Sequence, residues 1–93
     1  MDKEIHHADV WFEGRVQGVG FRYQTLKLAR GYDVSGTVRN LPDGRVLLHA
    51  EGAEGEVSAF TRAVAEEMRS FIRSVETRLS VAPPRERGFT IVS

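Results

Sequence analysis

Residues 14–22 of the chain, GRVQGVGFR, place three glycines ahead of an arginine at the point where a helix is predicted to begin. Glycine adopts backbone conformations that other residues avoid, and it lets amide groups approach a ligand closely. The first N–H groups of a helix lack partners within the helix and, together with the helix dipole, favour an anion. The planar guanidinium of Arg22 matches the oxygens of a phosphate. The segment therefore predicts a phosphate-binding loop, although the same pattern is also typical of a plain structural turn.

A second candidate for chemistry, Asn40, ends a short predicted strand at residues 36–40, GTVRN. The turn LPDG follows directly, and asparagine commonly caps such a turn with its side chain. The same amide group is also able to hold a water molecule in a fixed orientation. On the residue pattern alone, capping is the favoured interpretation, and a catalytic role needs further support.

Nothing else in the chain has the spacing of a nucleophile–base pair or of a metal site. The chain contains no cysteine, so it can form neither a disulfide nor a thiolate zinc site. His6 and His7 are adjacent in a polar N-terminal segment and are predicted to be disordered rather than to bind metal. His49 falls on the outward face of a predicted strand and is interpreted as a surface residue. No metal site is therefore predicted.

Hydrophobic periodicity divides the chain into strands and helices. Strands are predicted where apolar residues alternate with polar ones, and helices where apolar residues recur every three or four positions. Residues 65–75, AEEMRSFIRSV, leave open a longer second helix or a differently folded loop. The predicted elements are strands at residues 8–13, 36–40, 45–51, 75–81 and 88–92, a first helix containing Phe21, Thr25, Leu28, Ala29 and Tyr32, and a second helix containing Val57, Phe60, Val64 and Met68.

This order predicts an α+β fold, the ferredoxin-like βαββαβ sandwich with an additional short C-terminal strand. Two helices are expected on one face of a mainly antiparallel sheet. Strand 1 should be central, and strand 3 should lie between strands 1 and 2. Residues 1–7 are predicted to form a flexible N-terminal tail. Residues 8–93 are predicted to form a single domain, since a chain of 93 residues is long enough for one domain only.

In combination, GRVQGVGFR, the following G-x-V-x-N and the turn NLPDGRV resemble the acylphosphatase family. The resemblance continues through HAEG at residues 49–52 and GFTIV at residues 88–92, and it covers nearly the whole chain with similar spacing. It implies an α/β sandwich of ferredoxin-like topology. It also implies hydrolysis of acyl phosphates to carboxylate and phosphate, without a cofactor or a metal.

The resemblance also assigns roles to particular residues. The family's catalytic arginine falls on Arg22, and its catalytic asparagine falls on Asn40, whose amide is expected to orient the attacking water. An acyl phosphate is already activated, so positioning and charge stabilisation are what the protein has to supply. The family's phosphate-binding loop falls on Arg15, Val16, Gln17, Gly18, Val19, Gly20 and Phe21.

Charge and composition bear on the alternative functions. The formal net charge is +0, which argues against a nucleic-acid partner because such proteins usually carry a basic excess. An RNA-binding ferredoxin-like domain needs exposed aromatic residues on a basic sheet face. Trp11 is the single candidate, and Asp9, Glu13 and Glu51 share its predicted face. A catalytically inactive, anion- or phosphate-binding acylphosphatase-like module stays open as the alternative.

The expected partner is a small-molecule acyl phosphate, with inorganic phosphate or sulfate as a competing anion. No nucleic acid and no membrane is expected to bind, and the chain is predicted to be a monomer. The first residues, MDKEIHHADV, lack the apolar segment of a signal peptide, and no apolar run is long enough to span a membrane. A cytoplasmic location is therefore expected.

Overall fold

The computed structural model describes residues 3–93, which form five strands and two helices with one short connecting turn. A 3₁₀ turn at Arg69–Phe71 leads directly into the fourth strand. The elements are β1 (Ile5–Gly14), α1 (Phe21–Ala29), β2 (Val34–Asn40), β3 (Val46–Gly52), α2 (Glu54–Glu67), β4 (Ile72–Ala82) and β5 (Phe89–Ile91).

The five strands make one sheet in the order β4-β1-β3-β2-β5. The pairings β1–β3, β1–β4 and β2–β3 are antiparallel, and β2–β5 is parallel. This arrangement confirms the predicted ferredoxin-like fold with its extra C-terminal strand. β1 has a partner on both sides, and β3 separates β1 from β2 as predicted. Because β5 extends the sheet beyond β2, β3 rather than β1 is the middle strand of the five.

The core lies between one face of the sheet and the two helices. Phe12 of β1 packs against Phe21 of α1 with ring centroids 5.0 Å apart, and Phe60 of α2 packs against Phe89 of β5 at 5.4 Å. Burying a side chain of this size contributes roughly 1.5–3 kcal/mol. In β1, β2 and β3 the apolar residues that face the helices alternate as the sequence predicts, and those with 0% exposure are Phe12, Val38, Val46, Leu48 and Ala50.

The segment after α2 takes the second of the two predicted forms. The helix ends at Glu67, and the chain then makes the 3₁₀ turn before β4 begins at Ile72. Met68 is buried at the junction, which explains why its apolar spacing continues that of the helix. The longer helix is therefore not formed, and the turn delivers Phe71 to the end of β1.

The prediction of a flexible tail through residue 7 is wrong for residues 5–7. β1 begins at Ile5, which pairs with Ala82, and His6 pairs with Gly52. His7 is only 1% exposed. The sequence suggested a tail because these residues are polar, but strand pairing on both sides orders them. Met1 and Asp2 lie outside the described residues.

The interpretation of His49 as a surface residue is also wrong. His49 and Glu51 lie on the sheet face without helices, yet they are 7% and 1% exposed. The segment after β4 covers them, because the backbone N–H groups of Arg85 and Glu86 donate to Glu51 Oε2 at 2.7 and 3.1 Å. Trp11, farther along the same face, is half-buried. The Arg78 guanidinium lies over its ring, 5.5 Å from the ring centroid.

None of the helices within residues 3–93 is both long and apolar enough to cross a membrane.

Candidate active site

An open cleft of about 220 Å³ lies between the loop after β1, the start of α1 and the end of β2. The two residues predicted to act in catalysis, Arg22 and Asn40, both line it. Arg22 lies in the first turn of α1 and Asn40 at the end of β2, so the packing of this helix on the sheet brings them together. The lining residues are Val16, Gly18, Gly20, Phe21, Arg22, Tyr23, Asn40 and Ile91.

The loop is fixed at its beginning by Gly14. A β-bulge interrupts the β1–β4 pairing here, and Gly14 has a φ of 141°. A Cβ at this position would collide with the carbonyl oxygen of Phe71 and lie 2.8 Å from the amide nitrogen of Arg73. The next residue, Arg15, donates its N–H to that same Phe71 oxygen at 2.9 Å. The 3₁₀ turn thus holds the first residues of the loop against the sheet.

Gln17 fixes the middle of the loop to the β2–β3 turn. Its side-chain Nε2 donates to the carbonyl oxygens of Leu41 and Arg45 at 2.9 and 3.0 Å. The same two residues close the turn, since the Leu41 N–H donates to the Arg45 oxygen at 2.8 Å. Both side-chain N–H bonds of Gln17 are therefore used to position the loop, and its backbone N–H is the donor that remains for an anion.

The loop leaves a continuous run of backbone N–H groups available. Within residues 3–93, none of the N–H groups of residues 16–23 donates to a protein acceptor; the first one that does is Gln24, which donates to the Gly20 oxygen at 3.0 Å. Gly18 and Gly20 make this possible with φ values of 79° and 81°, in the left-handed region. Such a run of donors in a curved loop is suited to an anion.

The N-terminus of α1 differs from that of α2 in a way that also favours an external anion. Helix α2 carries Glu54 and Glu56 in its first turn, and these acids complement the positive end of its dipole. Helix α1 has no acid in its first turn and no side-chain cap at Gly20. Its first turn carries Arg22 instead, so the positive potential at this end of the helix is not neutralised from within.

Arg22 is half-buried, and within residues 3–93 its guanidinium forms no ion pair with a carboxylate. Arg45 in the nearby turn is different, because its Nε lies 2.8 Å from Asp43 Oδ2. The Arg45 backbone N–H also donates to Asp43, and this hydrogen bond is the main cause that lowers the pKa of the Asp43 carboxyl, helped by the Arg45 side chain. Asp43 therefore engages Arg45 and leaves Arg22 available.

Asn40 presents a polar atom that the protein does not satisfy. Its Oδ1 is buried, and it is the one buried side-chain polar atom without a hydrogen-bond partner in the described part of the chain. A buried carbonyl oxygen left without a donor costs about 1–3 kcal/mol. Capping of the turn by this oxygen, the interpretation favoured by the residue pattern, is therefore not observed. Asn40 itself lines the cleft, so its side-chain amide is next to any small molecule that binds there.

The family model described as acylphosphatase matches residues 8–91. The chain belongs to the acylphosphatase family.

Similar proteins agree with this membership. An acylphosphatase of Treponema denticola is 44% identical over 91 residues, which cover 97% of this chain and 94% of that protein. An acylphosphatase of Archaeoglobus fulgidus is 48% identical over 56 residues, covering 60% of this chain and 63% of the relative. The crystal structure of acylphosphatase from Bacillus subtilis superposes with a TM-score of 0.84 at 31% identity, covering 95% and 99% of the two chains. These matches confirm the predictions of family, fold and hydrolase class.

Within this acylphosphatase fold, the residues predicted for the phosphate-binding loop divide into two groups. Val16, Gly18, Gly20 and Phe21 line the cleft, whereas Arg15, Gln17 and Val19 do not. Val19 packs against the core instead. The roles assigned to all of these residues stay predictions.

Sequence reasoning missed two lining residues of the acylphosphatase cleft, Tyr23 and Ile91. Tyr23 is 64% exposed and directly follows Arg22, so its place next to a predicted site residue was a reason to expect it in the cleft. Ile91 is 39% exposed and reaches the cleft only because β5 pairs in parallel with β2. That pairing has no local signature in the sequence.

Proposed function

We propose that the chain hydrolyses acyl phosphates, with the phosphoryl group held by Arg22 and the loop at residues 15–21, and with the attacking water positioned by Asn40. The observation that carries the proposal is that Asn40, whose Oδ1 has no partner among the described residues, lines the same cleft as the residues with unpaired N–H groups, namely Val16, Gly18, Gly20, Phe21, Arg22 and Tyr23. One side of the cleft thus offers hydrogen-bond donors for an anion. The other side offers a single acceptor for a water molecule.

The donors suit a phosphoryl group in its transition state. Negative charge spreads over the equatorial oxygens while the attacking and leaving oxygens lie in line. Preoriented N–H groups and a guanidinium stabilise that charge without reorganising during the reaction. Arg22 adds two parallel donors in the geometry of two phosphate oxygens. These groups therefore act on the phosphorus side of the reaction.

Asn40 acts on the nucleophile. Its Oδ1 accepts a hydrogen bond from the water, which leaves a lone pair of the water oxygen directed at phosphorus. As the new P–O bond forms, the bond between phosphorus and the carboxylate oxygen breaks, and the carboxylate leaves as an anion. An amide is not a base at neutral pH, so the proton of the water passes to a phosphate oxygen or to solvent. Asn40 therefore contributes orientation rather than proton transfer.

The remaining features of the proposal follow from the same site. The substrate is a small molecule, and inorganic phosphate or sulfate competes for the loop. Turnover uses no metal, because the described residues lining the cleft offer N–H donors, a guanidinium and one amide but no carboxylate, imidazole or thiolate. We further propose that the chain acts as a monomer in the cytoplasm.

A direct test is hydrolysis of benzoyl phosphate by the purified chain in the presence and absence of EDTA. We expect turnover that the chelator leaves unchanged, and competitive inhibition by phosphate and by sulfate. A folded chain that binds phosphate but does not hydrolyse benzoyl phosphate would be the inactive anion-binding module instead. Loss of turnover in EDTA, with recovery on adding a divalent metal, would contradict the metal-free mechanism.

A further inference from the structure

We propose that the side chains of His7, His49 and Glu51 form a binding site for a divalent transition metal, with Zn²⁺ as the best-suited ion. The three residues lie on the sheet face without helices, and strand pairing brings them together. The register of β1 and β3 sets His7 opposite Glu51 and Asp9 opposite His49. Two imidazole nitrogens and one carboxylate oxygen are an established ligand set for zinc.

The spacing of the three ligand atoms is close to that of a tetrahedral site. His7 Nδ1 is 3.4 Å from His49 Nε2 and 3.5 Å from Glu51 Oε1, and His49 Nε2 is 2.8 Å from Glu51 Oε1. Zinc binds such atoms at about 2.0–2.2 Å, which sets them roughly 3.3–3.6 Å apart around a tetrahedron. Two of the three distances already agree. The third needs to lengthen by about 0.5 Å on that geometry.

The surrounding hydrogen bonds direct the lone pairs of both imidazoles toward this point. His7 Nε2 lies 3.1 Å from the carbonyl oxygens of Ala82 and Pro83, which are acceptors, so we assign the proton to Nε2 and the lone pair to Nδ1. His49 Nδ1 lies 2.8 Å from Asp9 Oδ1, so its proton belongs on Nδ1 and its lone pair on Nε2. A carboxylate behind a ligating histidine is the arrangement that orients such ligands in metal sites.

The assignment leaves three acceptors facing one another. His7 and Glu51 are each 1% exposed, so water is not available to separate the acceptors. A proton shared over the 2.8 Å between His49 Nε2 and Glu51 Oε1 relieves the repulsion between their lone pairs in the metal-free site, and a bound metal ion would take the place of that proton. The backbone N–H groups of Arg85 and Glu86 both donate to Glu51 Oε2, at 2.7 and 3.1 Å, so this oxygen is an acceptor and Oε1 is left to face the two imidazoles. Glu51 is therefore a carboxylate, the form that ligates.

Two features indicate how an ion enters and where it acts. The Arg85 guanidinium covers His49, with Nη2 at 3.3 Å from both ring nitrogens, and this side chain is exposed and able to swing away. Glu51 lies five residues along β3 from Val46, the partner of Asn40. At about 3.3 Å per residue the metal site is roughly 17 Å from that end of the strand. The ion is thus expected to stabilise the packing of residues 82–86 against the sheet and to take no part in catalysis in the cleft.

The test uses the full chain without a polyhistidine tag, stripped of metal with a chelator and then titrated calorimetrically with Zn²⁺. We expect one ion per chain and a rise in the melting temperature. With a water molecule admitted on the Arg85 side as the fourth ligand, Co²⁺ should give the intense visible absorption of a four-coordinate ion rather than the weak spectrum of a six-coordinate one. Absence of stoichiometric Zn²⁺ binding, or a six-coordinate Co²⁺ spectrum, would overturn the site.

Matched variants locate the ion. His49→Gln and Glu51→Gln should abolish stoichiometric binding, and Asp9→Asn should weaken it by about 10–100-fold. His6→Ala is the control, because His6 neighbours His7 on the opposite side of β1 and should leave binding unchanged. Turnover of benzoyl phosphate shows which variants are folded, since none of these residues lines the cleft. Binding that persists in folded His49→Gln and Glu51→Gln, or that His6→Ala removes, would contradict the assignment.

Discussion

The guanidinium of Arg22 is the only side-chain cation lining the cleft among the described residues, and its planar shape is what the proposed mechanism uses. Lysine keeps the charge but offers a point charge in place of two parallel donors. We expect Arg22→Lys to fold normally and to lose on the order of 10²-fold in kcat. Arg30→Lys is the control, since Arg30 is exposed at the C-terminal end of α1 and does not line the cleft. Benzoyl phosphate kinetics on both variants decide, and near-normal turnover of Arg22→Lys would remove Arg22 from its role.

Asn40 is expected to affect the rate without affecting stability. Because its Oδ1 has no partner, Asn40→Ala removes no hydrogen bond to that atom, and the free energy of unfolding should not fall. Turnover should fall sharply while the affinity for inorganic phosphate stays similar, because the residue acts on water rather than on the bound anion. Thermal unfolding, phosphate titration and the hydrolysis assay measure these three quantities.

Arg39→Ala is the matched control for Asn40→Ala, since Arg39 is the preceding residue of β2 and is exposed. It should leave turnover unchanged. A destabilised but fully active Asn40→Ala protein would support a turn-capping role and contradict the positioning of water.

Among the structural elements, the loop after β1 and the β2–β3 turn depend on one side chain for their relative position. Gln17→Met keeps the length of that side chain but removes both donors, which should cost about 2 kcal/mol of stability in total. Because the loop and Asn40 then lose their common support, kcat should fall by about 10-fold or more. Gln24→Met in α1 is the control, and equal kinetics of the two variants would show that the link is dispensable.

The same elements show what the sequence was able to predict. Alternation and helical spacing located every strand and both helices, because apolar residues lie on one face of each element, although in β4 that face is exposed. The burial of His49 and Glu51 was missed since their face has no helix. The segment that covers them, around Arg85, has no periodic pattern. Only the tertiary contact makes this face partly interior.

The candidate site was predictable in the same partial way. Glycines and an arginine ahead of a helix indicate an anion site from local sequence alone. Asn40 is different, because its place in the cleft depends on β3 lying between β1 and β2. The resemblance to acylphosphatases supplied that residue, and the residue pattern by itself favoured a turn cap. Neither the local residue pattern nor the family resemblance pointed to Ile91 as a lining residue of the cleft.

At the scale of the whole molecule, β4 is an edge strand whose helix-facing side is not covered. Leu79 is 73% exposed, and Val81 and Val75 are 52% and 47% exposed on the same side. An exposed apolar edge strand promotes association between chains. We expect Leu79→Lys to reduce light scattering on heating or concentration while turnover stays unchanged. Thr77→Lys, on the same side of β4, tests whether any added positive charge is enough to reduce the scattering. Equal scattering by wild type and Leu79→Lys would show that this edge is not where chains associate.

The hydrogen bonds of Gln17 have a consequence for how the sequence is free to drift over evolutionary time. Their acceptors are the backbone carbonyls of Leu41 and Arg45, and every residue type carries a carbonyl in the same place. The turn can therefore exchange its side chains without moving the loop. Position 17 has no such freedom, because few side chains can donate two hydrogen bonds from a group at the distance of the glutamine Nε2. Substitutions in the turn should accumulate readily, whereas the constraint that joins the two halves of the cleft rests on one residue.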